Sequence, residues 1–189
     1  MPQPPILPLI DWKAVFESGK EHSVWLAAAE SPEKRQKMEL FREGLKLEPQ
    51  TLGFLSALPR SVHVVAIAED WCGDVVRFVP VLQRLAEAAP RLKVRYLSRQ
   101  QYPEVFNRFL TNGGEAIPKF VFLSDAWVEC GNWGPMPEIC RELIARGKAC
   151  GDLAAARKKV SALCEADANR RMVVAELLKL LDIASSREP

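Results

Sequence analysis

The chain has 189 residues and is 48% hydrophobic, which is enough to bury one core, so we expect a single domain overall. Lysine and arginine total 26 against 24 acidic residues, and the net charge of +2 gives no broad attraction to nucleic acid or to an anionic membrane. No apolar stretch approaches the ~18 residues that span a bilayer, and the N-terminus lacks the pattern of a signal peptide. We therefore expect a cytoplasmic protein without nucleic-acid or membrane partners.

Helical signals fill the first sixty residues. Asp11 precedes Trp-Lys-Ala-Val-Phe as a helix N-cap, and this helix is predicted to be interrupted near Gly19. Ser31-Pro32-Glu33 then supplies an N-cap, a proline at the first helical position and a first-turn carboxylate for a helix that runs toward Pro49. Residues 1–60 are thus predicted to form a helical N-terminal extension.

The spacing of hydrophobic residues changes from a helical pattern at Val62. The run VHVVAIA that begins there is typical of a central strand covered on both faces. A helix is predicted from 74 to 88. The same patterns predict a strand at 92–97, a helix at 103–110, a strand at 119–123, its hairpin partner at 127–130, and helices from 136 onward. This order predicts an α/β fold in which a four-stranded mixed sheet, within a core of residues 61–147, is flanked by helices on both faces. The helices of residues 148–189 are predicted to pack on that core.

The five cysteines are an odd set without a C-x-x-C pair, a pattern that argues against a secreted disulfide framework and a zinc ribbon. We expect free thiols and no bound metal. Cys72 follows the first predicted strand and begins the next helix, where a helix N-terminus stabilises a thiolate. The alternative is that Cys72 is a small buried residue, as free cysteines usually are. Gly73 beside it is predicted to leave the backbone accessible.

Ile117-Pro118 directly precedes a core strand and follows a Gly-Gly loop, which makes this peptide bond a candidate for the cis form. The predicted topology brings the start of this strand beside Cys72. The segment could then offer backbone hydrogen bonds to an extended peptide lying over the cysteine. The alternative is a trans proline that simply begins a strand.

These residues carry a family resemblance. Trp71-Cys72-Gly73 matches the start of the W-C-G-P-C motif of the thioredoxin superfamily. Pro80 coincides with the helix-kinking proline of thioredoxins, Ile117-Pro118 with their cis-proline dipeptide, and Gly134 with a glycine of their substrate groove. The chain resembles this superfamily from about 62 to 137, and more narrowly a bacterial group with W-C-G-D at this position. The resemblance implies a thioredoxin-like three-layer sandwich.

The departures from the motif restrict the chemistry. Val75 replaces the second cysteine and Asp74 the proline before it, so no neighbouring thiol can resolve a mixed disulfide. Ala66 stands where thioredoxins carry a buried carboxylate. In addition, Glu69, Asp70 and Asp74 are expected to oppose a thiolate at Cys72.

We therefore predict a monothiol thiol-disulfide oxidoreductase that acts through Cys72 on protein or low-molecular-weight disulfides. Glutathione or another external thiol would serve as reductant, and no cofactor is expected. The alternative is a redox-inactive adaptor or binding protein with the same fold. The predicted substrate-binding residues are Trp71, Gly73, Asp74, Ile117, Pro118 and Gly134.

Overall fold

The computed structural model describes residues 7–188, and its first part is helical as predicted. The four N-terminal helices are α1 (Trp12–Ser18), α2 (His22–Ala27), α3 (Pro32–Gly44) and α4 (Pro49–Ser56). Both predicted caps form, since Asp11 accepts a hydrogen bond from the Ala14 amide at 3.0 Å and Ser31 accepts one from the Lys34 amide at 3.3 Å. The prolines at the starts of α3 and α4 suit the first helical turn, where no intrahelical N–H bond is lost.

The predicted four-stranded mixed sheet is confirmed. Its strands are β1 (Val62–Ile67), β2 (Leu92–Leu97), β3 (Lys119–Leu123) and β4 (Glu129–Trp133), in the spatial order β2-β1-β3-β4. Strand β1 runs parallel to β2 and antiparallel to β3, while β3 and β4 form an antiparallel hairpin. The sheet is that of a thioredoxin-like α/β fold, with the carboxyl ends of β1 and β2 at the same edge.

Two predicted boundaries were wrong. The hairpin partner begins at Glu129 rather than at Trp127, because Trp127 has a φ of 63° and lies in the turn before β4. The helix predicted at 103–110 is shorter, with α6 at Pro103–Phe106 and a 3₁₀ turn at Asn107–Phe109. The remaining helices are α5 (Gly73–Ala88), α7 (Glu138–Ala149), α8 (Leu153–Ala166) and α9 (Arg171–Ser185).

Helices cover both faces of the sheet. On one face, Phe16 of α1 packs edge-on against His63 of β1 at 5.0 Å between ring centroids. On the other, Phe78 of α5 packs against Trp133 of β4 at 5.5 Å, and Trp133 also stacks on Phe120. Phe120 pairs with Ala66, and residues 63 and 66 of a strand point to opposite faces. One continuous core therefore encloses the sheet on both sides.

The last helix lies directly on the sheet. Helix α9 contacts β4, β3 and α5, while α7 and α8 pack mainly on each other. Leu180 of α9 approaches Gly131 so closely that an added Cβ there would lie 2.9 Å from its Cδ2. Of the helices within residues 7–188, none has the length and apolarity needed to cross a bilayer.

Candidate active site

The side chain of Cys72 lies where the first strand gives way to a helix. Cys72 is the N-cap residue of α5, with φ −81° and ψ 128°. The segment that carries it, residues 69–73, is hereafter the cysteine turn. Its thiol is half-buried and donates to the carbonyl oxygen of Ile117 at 3.5 Å. The topology thus brings Cys72 against the segment that precedes β3, because β3 is the antiparallel neighbour of β1.

The opposite side of the site, hereafter the proline wall, consists of Ile117-Pro118 and Gly134-Pro135. Both peptide bonds are cis, and all four residues are buried. Gly134 has a φ of +120°, and a Cβ at this position would overlap the carbonyl oxygen of Pro118. For both reasons, only glycine fits at this position. The cis bond before Pro135 was not predicted from the sequence.

Two cations converge on the proline wall. Lys119, which is only 4% exposed, donates from Nζ to Thr111 Oγ1 at 2.8 Å and to the Gly134 carbonyl at 2.9 Å. Arg141 of α7 donates to the same carbonyl at 3.2 Å. Burial, together with the smaller effect of the Arg141 charge, lowers the pKa of Lys119 to about 8. Sequence reasoning missed both side chains.

The predicted site residues on the cysteine turn differ in exposure. Trp71 exposes 51% of its surface, and a Cβ at Gly73 would meet nothing within 4 Å. Asp74 is half-buried, and burial raises the pKa of its carboxyl while Arg77, at 3.8 Å, partly offsets that increase. Val75 is fully buried, so its side chain belongs to the core.

Arg99 links the two sides of the site. Its role was not predicted from the sequence. Its guanidinium pairs with Glu69 of the cysteine turn at 3.2 Å and with Glu115, before the proline wall, at 2.9 Å. The guanidinium carbon also lies 5.2 Å from the ring centroid of Trp71, a cation–π distance. The side chains of Glu69 and Arg99 are 13% and 21% exposed, so this is a partly buried ion pair.

The N-terminal helices support the cysteine turn from outside. Lys34 donates to the Trp71 carbonyl and the Glu30 amide donates to Asp70, each at 2.7 Å. Trp25 donates from Nε1 to the carbonyl of Ala68 at 3.3 Å, at the end of β1. Residues more than thirty positions upstream therefore fix the backbone beside Cys72.

The three carboxylates that were expected to oppose a thiolate all have partners. Glu69 pairs with Arg99, Asp70 accepts from the Glu30 amide, and Asp74 lies beside Arg77. Opposite charges or hydrogen-bond donors offset part of the negative potential that each carboxylate produces.

All five cysteines are free thiols. Cys140 and Cys164 are buried in the core, and burial and the proximity of Cys164 raise the pKa of Cys140 to about 12. Among residues 7–188, no cluster of three or more histidine, cysteine or acidic side chains could hold a metal ion.

A family model described as thioredoxin matches residues 19–155, and the chain therefore belongs to this thioredoxin family. The match begins well before β1 and so includes the helices that contact the cysteine turn. No curated protein matches the chain.

Two solved structures share the fold. The chain is 15% identical to a protein of unknown function from Pseudomonas aeruginosa, with a TM-score of 0.70 and coverage of 92% of this chain and 98% of that one. An HIV epitope scaffold is 14% identical, with a TM-score of 0.68 and the same coverage of both chains. At these identities the similarity concerns the fold alone.

Proposed function

We propose that the chain is a monothiol thiol-disulfide oxidoreductase that acts through Cys72. The observation that carries this proposal is the position of the sulfur, at the N-cap of α5 and 3.5 Å from the Ile117 carbonyl oxygen. The first-turn amides of a helix have no intrahelical partners, and a nearby thiolate is favoured by them. Gly73, the next residue, is exposed.

The reaction is a thiol-disulfide exchange. The Cys72 thiolate attacks one sulfur of a disulfide, its S–S bond breaks, and the displaced thiolate takes a proton from solvent while Cys72 is held in a mixed disulfide. An external thiol, glutathione or another, then loses its proton to solvent and attacks the substrate sulfur of the mixed disulfide, so that a new disulfide forms between these two and Cys72 leaves as a thiolate. The external thiol is required because the position of a resolving cysteine is occupied by the buried Val75.

The test is the site of modification by glutathione disulfide. Cys150 is exposed whereas Cys72 is half-buried, so accessibility alone would favour Cys150. We expect mass mapping of the intact protein to find faster modification at Cys72, and Cys150→Ser to leave that rate unchanged. If Cys72 is modified no faster than Cys150, the proposed activity is wrong.

A second candidate, a redox-inactive binding protein, is favoured by the half-exposed indole of Trp71 at the site. Large aromatic side chains of this kind are enriched where proteins contact partners. In that case Cys72→Ser would retain a captured partner and Trp71→Ala would lose it. An oxidoreductase would show the opposite dependence on Cys72.

A further inference from the structure

Arg99 follows β2 and contacts both segments that meet at Cys72. Its backbone amide donates to the Glu69 carboxylate at 3.2 Å, and its Nε donates to the same carboxylate at 3.3 Å. Its Nη1 donates to the Glu115 carboxylate at 2.9 Å and to the Glu115 backbone carbonyl at 3.4 Å. One residue therefore holds the cysteine turn and the segment that leads into the proline wall.

These contacts belong to a closed set that includes the reactive sulfur. The Glu69 carbonyl accepts from the Cys72 amide at 3.1 Å, and the Cys72 thiol donates to the Ile117 carbonyl at 3.5 Å. Ile117 is two residues after Glu115, whose carbonyl is bonded to Arg99. A thiol is a weak hydrogen-bond donor, so the contact of Cys72 with Ile117 cannot by itself fix the distance between the two segments. Arg99 makes the stronger, charge-assisted contacts of the set.

The guanidinium of Arg99 is itself held in place by aromatic side chains. Its central carbon lies 5.2 Å from the ring centroid of Trp71 and 6.0 Å from that of Phe106, both cation–π distances. The planar fork of an arginine pairs with two carboxylates while its faces contact aromatic rings, whereas the compact ammonium of a lysine cannot reproduce this geometry. The link between the two segments therefore depends on an arginine and not only on a positive charge.

The orientation of the Cys72 sulfur matters for thiol-disulfide exchange. The attacking sulfur must approach in line with the S–S bond that breaks, and a half-buried thiol can be approached from only part of its surface. We propose that Arg99 is a positioning residue for this reaction and holds the Cys72 sulfur in the orientation from which it attacks a disulfide. Arg99 acts through Glu69 and Glu115, and it exchanges no proton or electron with the reacting sulfurs. This inference rests on the proposed function and adds a residue to it.

The experiment compares two reactions of the same sulfur. Bis(2-hydroxyethyl) disulfide requires in-line attack on an S–S bond, whereas iodoacetamide is a smaller reagent whose rate reports the thiolate fraction and exposure of Cys72. Both reagents are neutral, so a change of charge in the protein does not alter their encounter with it. The two rates at Cys72 are measured by mass mapping, and the readout is the ratio of exchange to alkylation. The thiolate fraction affects both reactions and cancels in this ratio.

Arg99→Lys is the main variant, since it keeps the positive charge beside Glu69 but cannot bridge the two segments. We expect it to lower the ratio of exchange to alkylation by about tenfold. Arg95→Lys is the matched control, because Arg95 of β2 also pairs with a carboxylate, that of Glu21 at 2.8 Å, and lies 5.9 Å from the ring centroid of Phe16. It lies outside the closed set of contacts and should leave the ratio unchanged. Urea unfolding checks that both variants are folded.

Glu115→Gln tests the same link from the side of the proline wall. The Glu115 side chain is 64% exposed, so this variant disturbs folding little. The neutral amide weakens the side-chain contact with Arg99 and leaves the backbone contact in place, so the ratio should fall by about two- to threefold. Glu17→Gln is its control, because Glu17 is similarly exposed at 61% and pairs with Lys13 away from the site. This control should leave the ratio unchanged.

The possible outcomes are distinct. An unchanged ratio in Arg99→Lys, or an equal fall in Arg95→Lys, would show that Arg99 forms only a structural ion pair and would leave the oxidoreductase proposal standing. If Arg99→Lys does not fold, Glu115→Gln decides, and a ratio equal to that of Glu17→Gln would overturn the positioning role. If Cys72 of the native protein reacts with the disulfide no faster than Cys150 does, the proposed function is wrong and the positioning role with it.

Discussion

The two sides of the candidate site are built in different ways. The cysteine turn is held mainly by polar contacts with residues far away in the chain, namely Lys34, Glu30 and Arg99. The proline wall is buried, and its two cis dipeptides meet in direct backbone contact. The exposed contacts of Lys34 and Glu30 contribute little free energy each, and only the Arg99 pair is partly buried, whereas a backbone contact admits no added atom. The side that carries the reactive group should therefore tolerate substitutions that the opposite side does not.

A matched pair of glycine substitutions tests this difference most directly. Gly134→Ala adds a Cβ that overlaps the Pro118 carbonyl and requires a φ of +120°, so we expect a loss of about 3 kcal/mol or more in unfolding free energy. Gly73→Ala adds the same atom into open space at the first position of α5 and should change stability by less than about 0.5 kcal/mol. Urea unfolding measures both. Similar losses for the two variants would contradict the comparison.

The largest polar effect on the cysteine turn is expected at Arg99. Arg99→Met leaves the partly buried carboxylate of Glu69 unpaired, which should cost about 2 kcal/mol in unfolding free energy. Adding Glu69→Gln to this variant should recover part of the loss, since the neutral amide has a smaller desolvation cost.

Arg60→Met is the control for Arg99, because it removes an exposed ion pair with Asp125 at 3.8 Å and should change stability by less than about 0.5 kcal/mol. If Arg99→Met is equally mild, the link between the two sides of the site contributes no stability.

His22 of α2 should make the protein less stable in acid. Burial, assisted by the charge of Arg42, lowers the pKa of His22 from 6.5 to about 4, against an opposing effect of Glu87. The unfolded chain therefore binds a proton at higher pH than the folded chain does. Unfolding free energy should fall by about 1–2 kcal/mol as the pH drops from 6.5 to 4, after allowance for the partial exposure of the ring.

The measurement for His22 is the difference in unfolding free energy between the native protein and His22→Gln, at pH 7 and at pH 4.5. Glutamine has no charge to gain, so the difference should move in favour of the variant in acid. A difference independent of pH would show that the pKa of His22 is the same in the folded and the unfolded chain.

Sequence periodicity predicted much of the fold because the relevant signals are local. The β-branched run from Val62 and the apolar spacing after Asp74 each specify an element within its own length. Cys72 and Gly134 were placed through the motif and its spacing. The shift of β4 was missed because a left-handed φ at Trp127 is not expected of a large aromatic residue.

The contacts that complete the site join residues far apart in the chain. Arg99 follows a strand and looks like an ordinary surface arginine, yet it pairs with Glu69, thirty residues before it. Lys34 contacts Trp71 across 37 residues. No periodic pattern or motif encodes such pairs, since they arise only when β1, β2 and the N-terminal helices meet at one edge of the sheet.

Of the contacts compared here, the hydrogen bond of Lys34 to Trp71 should have the smallest effect on unfolding free energy. Its removal tests whether this polar contact stabilises the cysteine turn locally. Lys34→Met removes an exposed hydrogen bond of 2.7 Å, so unfolding free energy should fall by only about 0.5 kcal/mol. The carbonyl that loses its donor belongs to the residue before Cys72, so local opening of the cysteine turn should increase more than global unfolding does. Hydrogen exchange at the Cys72 amide, which donates to Glu69 at 3.1 Å, reports that opening. Faster exchange in Lys34→Met would show that Lys34 stabilises the cysteine turn locally. Lys37→Met, an exposed residue on the same helix, is the control and should leave the exchange rate unchanged. Unchanged exchange in Lys34→Met would show that the remaining contacts hold the turn without Lys34.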